Sequence, residues 1–396
     1  MWLMKRLQPD FKTLARFRSE NSSAFRRVFQ EFNRTCRSLG LFSREVVAID
    51  GSKFKAVNSH DRYLKLSKID KAQARADARI EEYLEALART DEAEEDAPES
   101  PLTKEELQEK IEQMKRRLEK LKQQKQFLSQ QGWDEGASTD PDSVLLSDRK
   151  HRHGVVGYNV QIAVEAKSHL IVAIDAVTDK NDLNQLGAMA LQAQEALEID
   201  PDNEEERLTV LADAGYHEAD ELEFCEKHRI TAVVPAPSTT SGRSVKGEEI
   251  FPLEAFVYDK ERDSYLCPEG QELSRQSVSL QKGIPKASYS NYGACLSCAL
   301  KRHCTTGTAR KLWRRVNQEV VERAEQCYQK NRELFRQRKS TVEHVFGTLR
   351  NRGQGSFLQR GKIKIQGELS LSALAYNMTR AINIIGVQTL TRAMKA

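Results

Sequence analysis

Residues 155–165 read VVGYNVQIAVE, with Val156, Tyr158, Val160, Ile162 and Val164 alternating against Gly157, Asn159, Gln161, Ala163 and Glu165. A period of two held over that length predicts a strand with one face in a core. The neighbouring runs differ from it. VVAID at 46–50 and RLTVLAD at 207–213 are continuous apolar stretches ending in aspartate; LIVAIDAVT follows the alternating strand at hairpin distance, and ITAVVPAP at 230–237 is a fifth run. Helical periodicity in NDLNQLGAMALQAQEAL and HEADELEFCEKH separates the last three. The order strand, strand, strand, helix, strand, helix, strand predicts an α/β core: a mixed five-stranded sheet with flanking helices.

Two stretches interrupt that core. From about Ile69 to Gln130 the chain is charged, Gln-rich and almost free of glycine, with the acidic DEAEEDAPESP between two helical arms. Thr103 and Glu106 have capping-box spacing, and Leu107, Ile111, Met114, Leu118, Leu121 and Leu128 keep a four-three repeat that Ile69, Ala72, Ala76, Ile80, Tyr83 and Leu87 answer. An inserted antiparallel hairpin is one reading and a dimerising coiled coil the other. The second interruption carries tyrosines, glycines and cysteines. The organisation expected is an N-terminal helical segment 1–44, core 45–66, helical hairpin 67–132, core 133–237, cysteine-rich insertion 238–316, and C-terminal helices 317–396 that complete the core. Within the first segment Phe25, Val28, Phe29, Phe32, Cys36 and Leu39 fall three and four apart, with Asn21 or Ser22 as cap and Gly40 as stop.

Composition excludes some classes. With 396 residues, 39% hydrophobic and 30% charged, the chain can bury a core without disulfides. It has no apolar run of about 18 residues and no signal-peptide core near its start, which argues against membrane and secreted readings and for a cytoplasmic one. A net charge of +4 from 62 basic and 58 acidic residues leaves the question of a nucleic-acid partner to local charge.

Asp50 and Asp213 each terminate an apolar run and precede small residues, Gly51-Ser52 and Ala214-Gly215. Ligands bind at such strand ends in α/β sheets, although a single aspartate there also caps turns. Carboxylates about 4 Å apart repel by roughly 4 kcal/mol at an effective dielectric of 20, so a pair of them calls for a divalent cation, magnesium or manganese. Glu343 is the candidate third carboxylate. It lies on a helix whose Val342, Val345, Phe346 and Leu349 face inward, among Arg336, Arg338, Lys339, Arg350 and Arg352; an ordinary helix with internal ion pairs is the alternative. Cys267, Cys295, Cys298 and Cys304, the last three spaced x2 and x5, form a candidate structural zinc site with His303 as a possible substitute ligand, or else a small reduced core. Cys36, Cys225 and Cys327 fit helix faces. His217 follows Asp213 closely and is expected at a helix start, and His344 on another face than Glu343.

IDGSKF, LADAGY and VEHVFGTLR, in that order, resemble the three active-site blocks of bacterial insertion-sequence DDE transposases, and GVVGYNVQIAVEA, NDLNQL and the cysteine-rich stretch resemble insertion-sequence family eleven-eighty-two. The resemblance implies a ribonuclease H-like fold with Asp50, Asp213 and Glu343 as catalytic metal ligands. Where related transposases show Tyr, Arg, Glu, Lys around the glutamate, this chain has Arg336, Lys339, Glu343 and Arg350. Family members usually carry a helical segment upstream of RLQPDFKTLARFR, so the chain is expected to be N-terminally short.

The implied activity is metal-dependent cleavage at element ends by water, then strand transfer by the freed 3′-hydroxyl. Lys53, Arg149, Lys150, Arg152, Arg338, Lys339 and Arg350 are the expected phosphate contacts. The partners would be double-stranded DNA, as element ends and target, and a second copy when assembled on DNA, with the protein at the nucleoid. A nuclease without strand transfer and an inactive DNA-binding remnant are the rival functions.

Overall fold

The computed structural model describes residues 8–58, 62–92, 103–147, 154–203, 206–237, 244–245, 248–281 and 284–395. The chain divides into two compact units. The first takes Met1–Asp182, Gln192–Ile199 and Lys339–Ala396; the second takes Leu183–Leu191 and Asp200–Arg338.

In the first unit the helical stretch at the N-terminus is two helices, α1 (Phe11–Glu20) and α2 (Ser22–Ser38). They part at Asn21, whose side chain bonds back to Phe17 O at 2.8 Å. β1 (Val46–Lys55) follows, then β2 (Tyr63–Lys65), which pairs with β3 (Glu135–Ala137) at the base of two long helices, α3 (Leu66–Glu92) and α4 (Lys104–Gln131). The capping box at Thr103 and Glu106 starts α4, and Gly132, at φ 69°, ends it. The Asp70–Lys125 ion pair and the Lys110 ammonium over Tyr83 make α3 and α4 antiparallel.

β5 (Val155–Glu165) is the centre of this unit's sheet. β1 runs antiparallel along one edge from Val47↔Glu165 to Lys55↔Gly157, while β4 (Val144–Leu146) and β6 (Ile171–Val177) share the other. Two expectations are corrected here. The apolar run at 46–50 does not end at Asp50: β1 continues five residues further because β5 pairs with it throughout. β5 is also not half-buried; every residue after Val155 is buried, and its polar positions are satisfied internally. At Gly157 the two strands approach so closely that a Cβ would lie 1.9 Å from Phe54 O. The three-residue β4 has too little periodicity to be read from sequence.

α5 (Leu186–Ala196) begins in the second unit's chain and ends in the first's. The second unit contains the parallel pair β7 (Thr209–Leu211) and β8 (Thr231–Val233), joined through α6 (Ala219–Lys227), so the chain has strands of both senses and is mixed α/β. A two-residue pair, β9 (Ser244–Val245) and β10 (Glu248–Glu249), precedes an antiparallel sheet that the sequence did not predict: β11 (Val257–Asp259), β12 (Ser264–Leu266), β13 (Glu272–Gln281), β14 (Ile284–Ser290) and β15 (Leu312–Arg315), in that order. Its core is Phe256, Tyr265, Leu273, Ala287, Tyr289 and Leu312. Asp263 accepts from Tyr289 at 2.5 Å, Tyr258 at 2.9 Å and Arg275 at 2.8 Å; the bond from Tyr289, first among these, holds its carboxyl below the usual range. α7 (Tyr292–Leu296), α8 (Gln318–Lys330) and α9 (Arg332–Phe335) complete the unit's helices.

α10 (Gln337–Leu349) leads back into the first unit, where α11 (Lys362–Ala393) begins seven residues earlier than its apolar periodicity at Leu369 and breaks at Gly386, φ 80°. α2 and α11 cover the free edge of β6 through amide side chains. Asn33 donates to Ile171 O and Val172 O, Asn377 takes the N–H of Ile171 at 2.8 Å, and Gln366 takes that of Ala176 at 3.0 Å while donating to Ile174 O. An edge strand otherwise presents unpaired backbone groups to other chains, and here three buried amides satisfy them.

Candidate active site

Asp50 stands in the middle of β1, half-buried, with its Oδ1 accepting the N–H of Gly51 at 2.9 Å. Side chains two apart share a strand face, so Asp50, Ser52 and Phe54 form one row. α10 packs over that row. Phe346 lies 6.2 Å from Phe54 between ring centroids, and Arg350 donates to Ser52 Oγ at 2.6 Å with its guanidinium 5.3 Å from the Phe54 ring. Glu343, Phe346 and Arg350 are spaced i, i+3, i+7 on one stripe of the helix. Glu343 is 58% exposed and its nearest cation, Lys339, is 3.9 Å away. Phe346 and Arg350 thus set the stripe of α10 that carries Glu343 against the face of β1 that carries Asp50.

A histidine clamp that sequence reasoning missed holds α10. His344 bonds to Ser340 O and, through Nε2, to the Tyr376 hydroxyl at 3.1 Å; Tyr376 in turn donates to His169 O at 3.0 Å, and the His169 and His344 rings meet edge to face at 4.9 Å. Burial, followed by the charges of His344 and Arg380, pushes the His169 imidazole below the ordinary histidine value. His169 sits at φ 57° in the turn between β5 and β6, so the clamp ties the helix of Glu343 to that hairpin.

Asp213 belongs to the second unit. It follows β7 by two residues and caps a 3-10 turn, Ala214–Tyr216, with Oδ1 accepting from Gly215 N at 2.8 Å. Its other oxygen is 3.8 Å from the Arg338 guanidinium, the carboxylate 45% exposed. Turn capping and an accessible oxygen thus coexist. His217 is buried at the end of this turn, with its imidazole pushed down chiefly by desolvation. Of the expected phosphate contacts, Lys53 is tied to Ser147 O, Arg338 faces Asp213, Lys339 faces Glu343 and Arg350 faces Ser52. Arg149, Lys150 and Arg152 lie outside the described residues.

A family model for the transposase DDE domain matches residues 42–378, most of the chain and all three carboxylates. The chain belongs to the DDE transposase family. No curated protein matches it. DNA is the substrate class that membership implies, and no helix among the described residues is long and apolar enough to cross a membrane.

Two further features of this transposase domain bear on its chemistry. Asn159 and Gln161, the polar positions of β5 read from sequence as a solvent face, both donate to Asp182 Oδ1 at 2.7 Å, next to Gly51. A Cβ at position 51 would lie 2.4 Å from the Gln161 amide and 2.5 Å from Asp182, so glycine beside Asp50 is what admits this knot. The signal was present in NDLNQL, where Asp182 stands, but nothing local assigns it a partner. The second feature is the cysteines. Cys267 and Cys304 pack on the core of the five-stranded sheet, and the Cys304 thiol is pushed up first by burial and then by the proximity of Cys295, Cys267 and Cys298, while Arg310 opposes the shift. The other three cysteines thus each bear on the Cys304 thiol. Among the described residues no group of three or more His, Cys, Asp or Glu side chains is drawn into a metal-holding cluster.

Proposed function

We propose that this transposase cuts DNA at the ends of an insertion sequence with water and joins the freed 3′-hydroxyl to target DNA, using Asp50, Asp213 and Glu343. The observation that carries the reading is the placement of Asp50 and the Glu343 helix on one face of β1. Three carboxylates are the ligand chemistry that a hard divalent ion takes, and Asp213 and Glu343 stand 3.8 and 3.9 Å from the cations beside them. Magnesium or manganese bound there would activate the attacking oxygen and neutralise charge on the phosphate. The chain's own contribution is positional. The clamp of His344, Tyr376 and His169 holds α10, Gly51 lets the Asp182 knot brace the strand of Asp50, and Arg350 offers a guanidinium to phosphate beside Ser52.

The finer assignments belong to the same proposal: a ribonuclease H-like core, membership of insertion-sequence family eleven-eighty-two, a homodimer assembled on DNA at the nucleoid, and a structural zinc on Cys267, Cys295, Cys298 and Cys304. The nearness of Cys267, Cys295 and Cys298 to Cys304 supports the zinc. Labelled element ends test the catalytic reading. Asp213→Asn should abolish magnesium-dependent cleavage and leave DNA affinity nearly unchanged, because it removes a metal ligand and no phosphate contact. Full cleavage by that variant would mean that the active site lies elsewhere; cleavage without joining by the wild type would favour a nuclease.

A further inference from the structure

The first unit holds an open cleft of about 480 Å³ at the end of β1. Lys55, Arg62 and Arg360 are its charged lining residues among the described residues, and Thr139 and Ser356 add hydroxyls. Arg62 reaches Thr139 Oγ1 at 3.3 Å, and none of the three cations pairs with a described carboxylate. Cations gathered in one cleft repel one another, and an anion relieves that repulsion.

The acids nearby are committed to the backbone. Glu368 accepts the N–H groups of Leu358 and Gln359 at 3.2 Å, Asp140 that of Gly361 at 2.9 Å, and Asp142 that of Lys362 at 2.8 Å. Phe357, between Phe54 and Tyr158 with centroids 5.9 and 5.8 Å away, bonds through its N–H to Lys55 O at 2.8 Å. This loop is therefore held rigidly in place, and Arg360 projects from it, exposed.

We infer that the cleft docks the sugar–phosphate backbone of duplex DNA, a role that rests on the transposase reading for its substrate. Lys55 lies five residues beyond Asp50 on the same strand, about 17 Å at roughly 3.3–3.4 Å per residue. Arg350 stands between them, at Ser52.

The test is the salt dependence of binding to a labelled duplex, by fluorescence anisotropy in EDTA, where no cleavage occurs. Lys55→Gln, Arg62→Gln and Arg360→Gln together should make the slope of log affinity against log salt shallower by about 2–3, since each phosphate contact contributes roughly 0.9. Arg360→Gln alone, at an exposed position, should remove about 1. An unchanged slope in both variants overturns the cleft, and so does lost binding of a nucleoside triphosphate with the duplex slope intact. Cleavage assays on the same preparations separate the two proposals. A slope change in the variants when the wild type itself cuts no DNA supports the cleft and sinks the catalytic reading; wild-type cutting with an unchanged slope in the variants sinks the cleft alone.

Discussion

Asn377→Leu tests whether buried amides, and not strand pairing, hold the free edge of β6. Asn377 is fully buried on α11. It accepts from Ile171 N at 2.8 Å, donates to Ile171 O at 2.8 Å and donates to Asn33 Oδ1 at 2.9 Å. Leucine is close in size and makes none of these bonds. Ile171 O keeps its bond from Asn33 at 3.1 Å, but the Ile171 N–H and the Asn33 Oδ1 are left in a dry interface. Each stranded group costs about 1–3 kcal/mol, and the added apolar burial returns about 1–2, so the expected loss is about 2–4 kcal/mol. Urea unfolding followed by Trp133, which lies in the first unit, should show the midpoint falling by about 1 M at a slope of roughly 3 kcal/mol/M. Asn33→Leu removes one bond that Asn377→Leu also removes, so the double variant should lose about 1 kcal/mol less than the sum. A shift below about 0.2 M, or strict additivity, would refute the reasoning.

Two other outcomes follow from the structure. Purified protein should carry one zinc, and Cys304→Ser should lower both the zinc content and the melting temperature of the second unit; wild-type protein free of zinc by elemental analysis would leave only a reduced core. His169 is held below the ordinary histidine value, so protonation favours the unfolded chain: its stabilising contribution is present above about pH 6.5 and is lost as pH falls through that value. His169→Asn, which tolerates φ 57°, should flatten the fall in melting temperature between pH 7 and 5, and an unaltered pH profile would show that the clamp does not titrate.

The sequence alone determined what depends on neighbours along the chain. Period-two and continuous apolar runs marked β1, β5, β6, β7 and β8, the Thr103–Glu106 box marked the start of α4, and three short blocks carried the family. These signals are local because a strand's faces and a helix's cap are set within a few residues. Tertiary structure decided the rest. Whether Asp50 ends a strand or stands within one depends on β5, more than a hundred residues on, continuing to pair beyond it. Whether Asn159 and Gln161 face water or a half-buried carboxylate depends on Asp182 reaching over Gly51, and the edge of β6 is satisfied by Asn33 and Asn377 from distant helices. The cleft of Lys55, Arg62 and Arg360 has no pattern in sequence at all: its cations are brought together by the pinning of Phe357 to β1. Hydrogen-bond satisfaction and charge balance are properties of groups close in space, and chain order does not encode which groups those are.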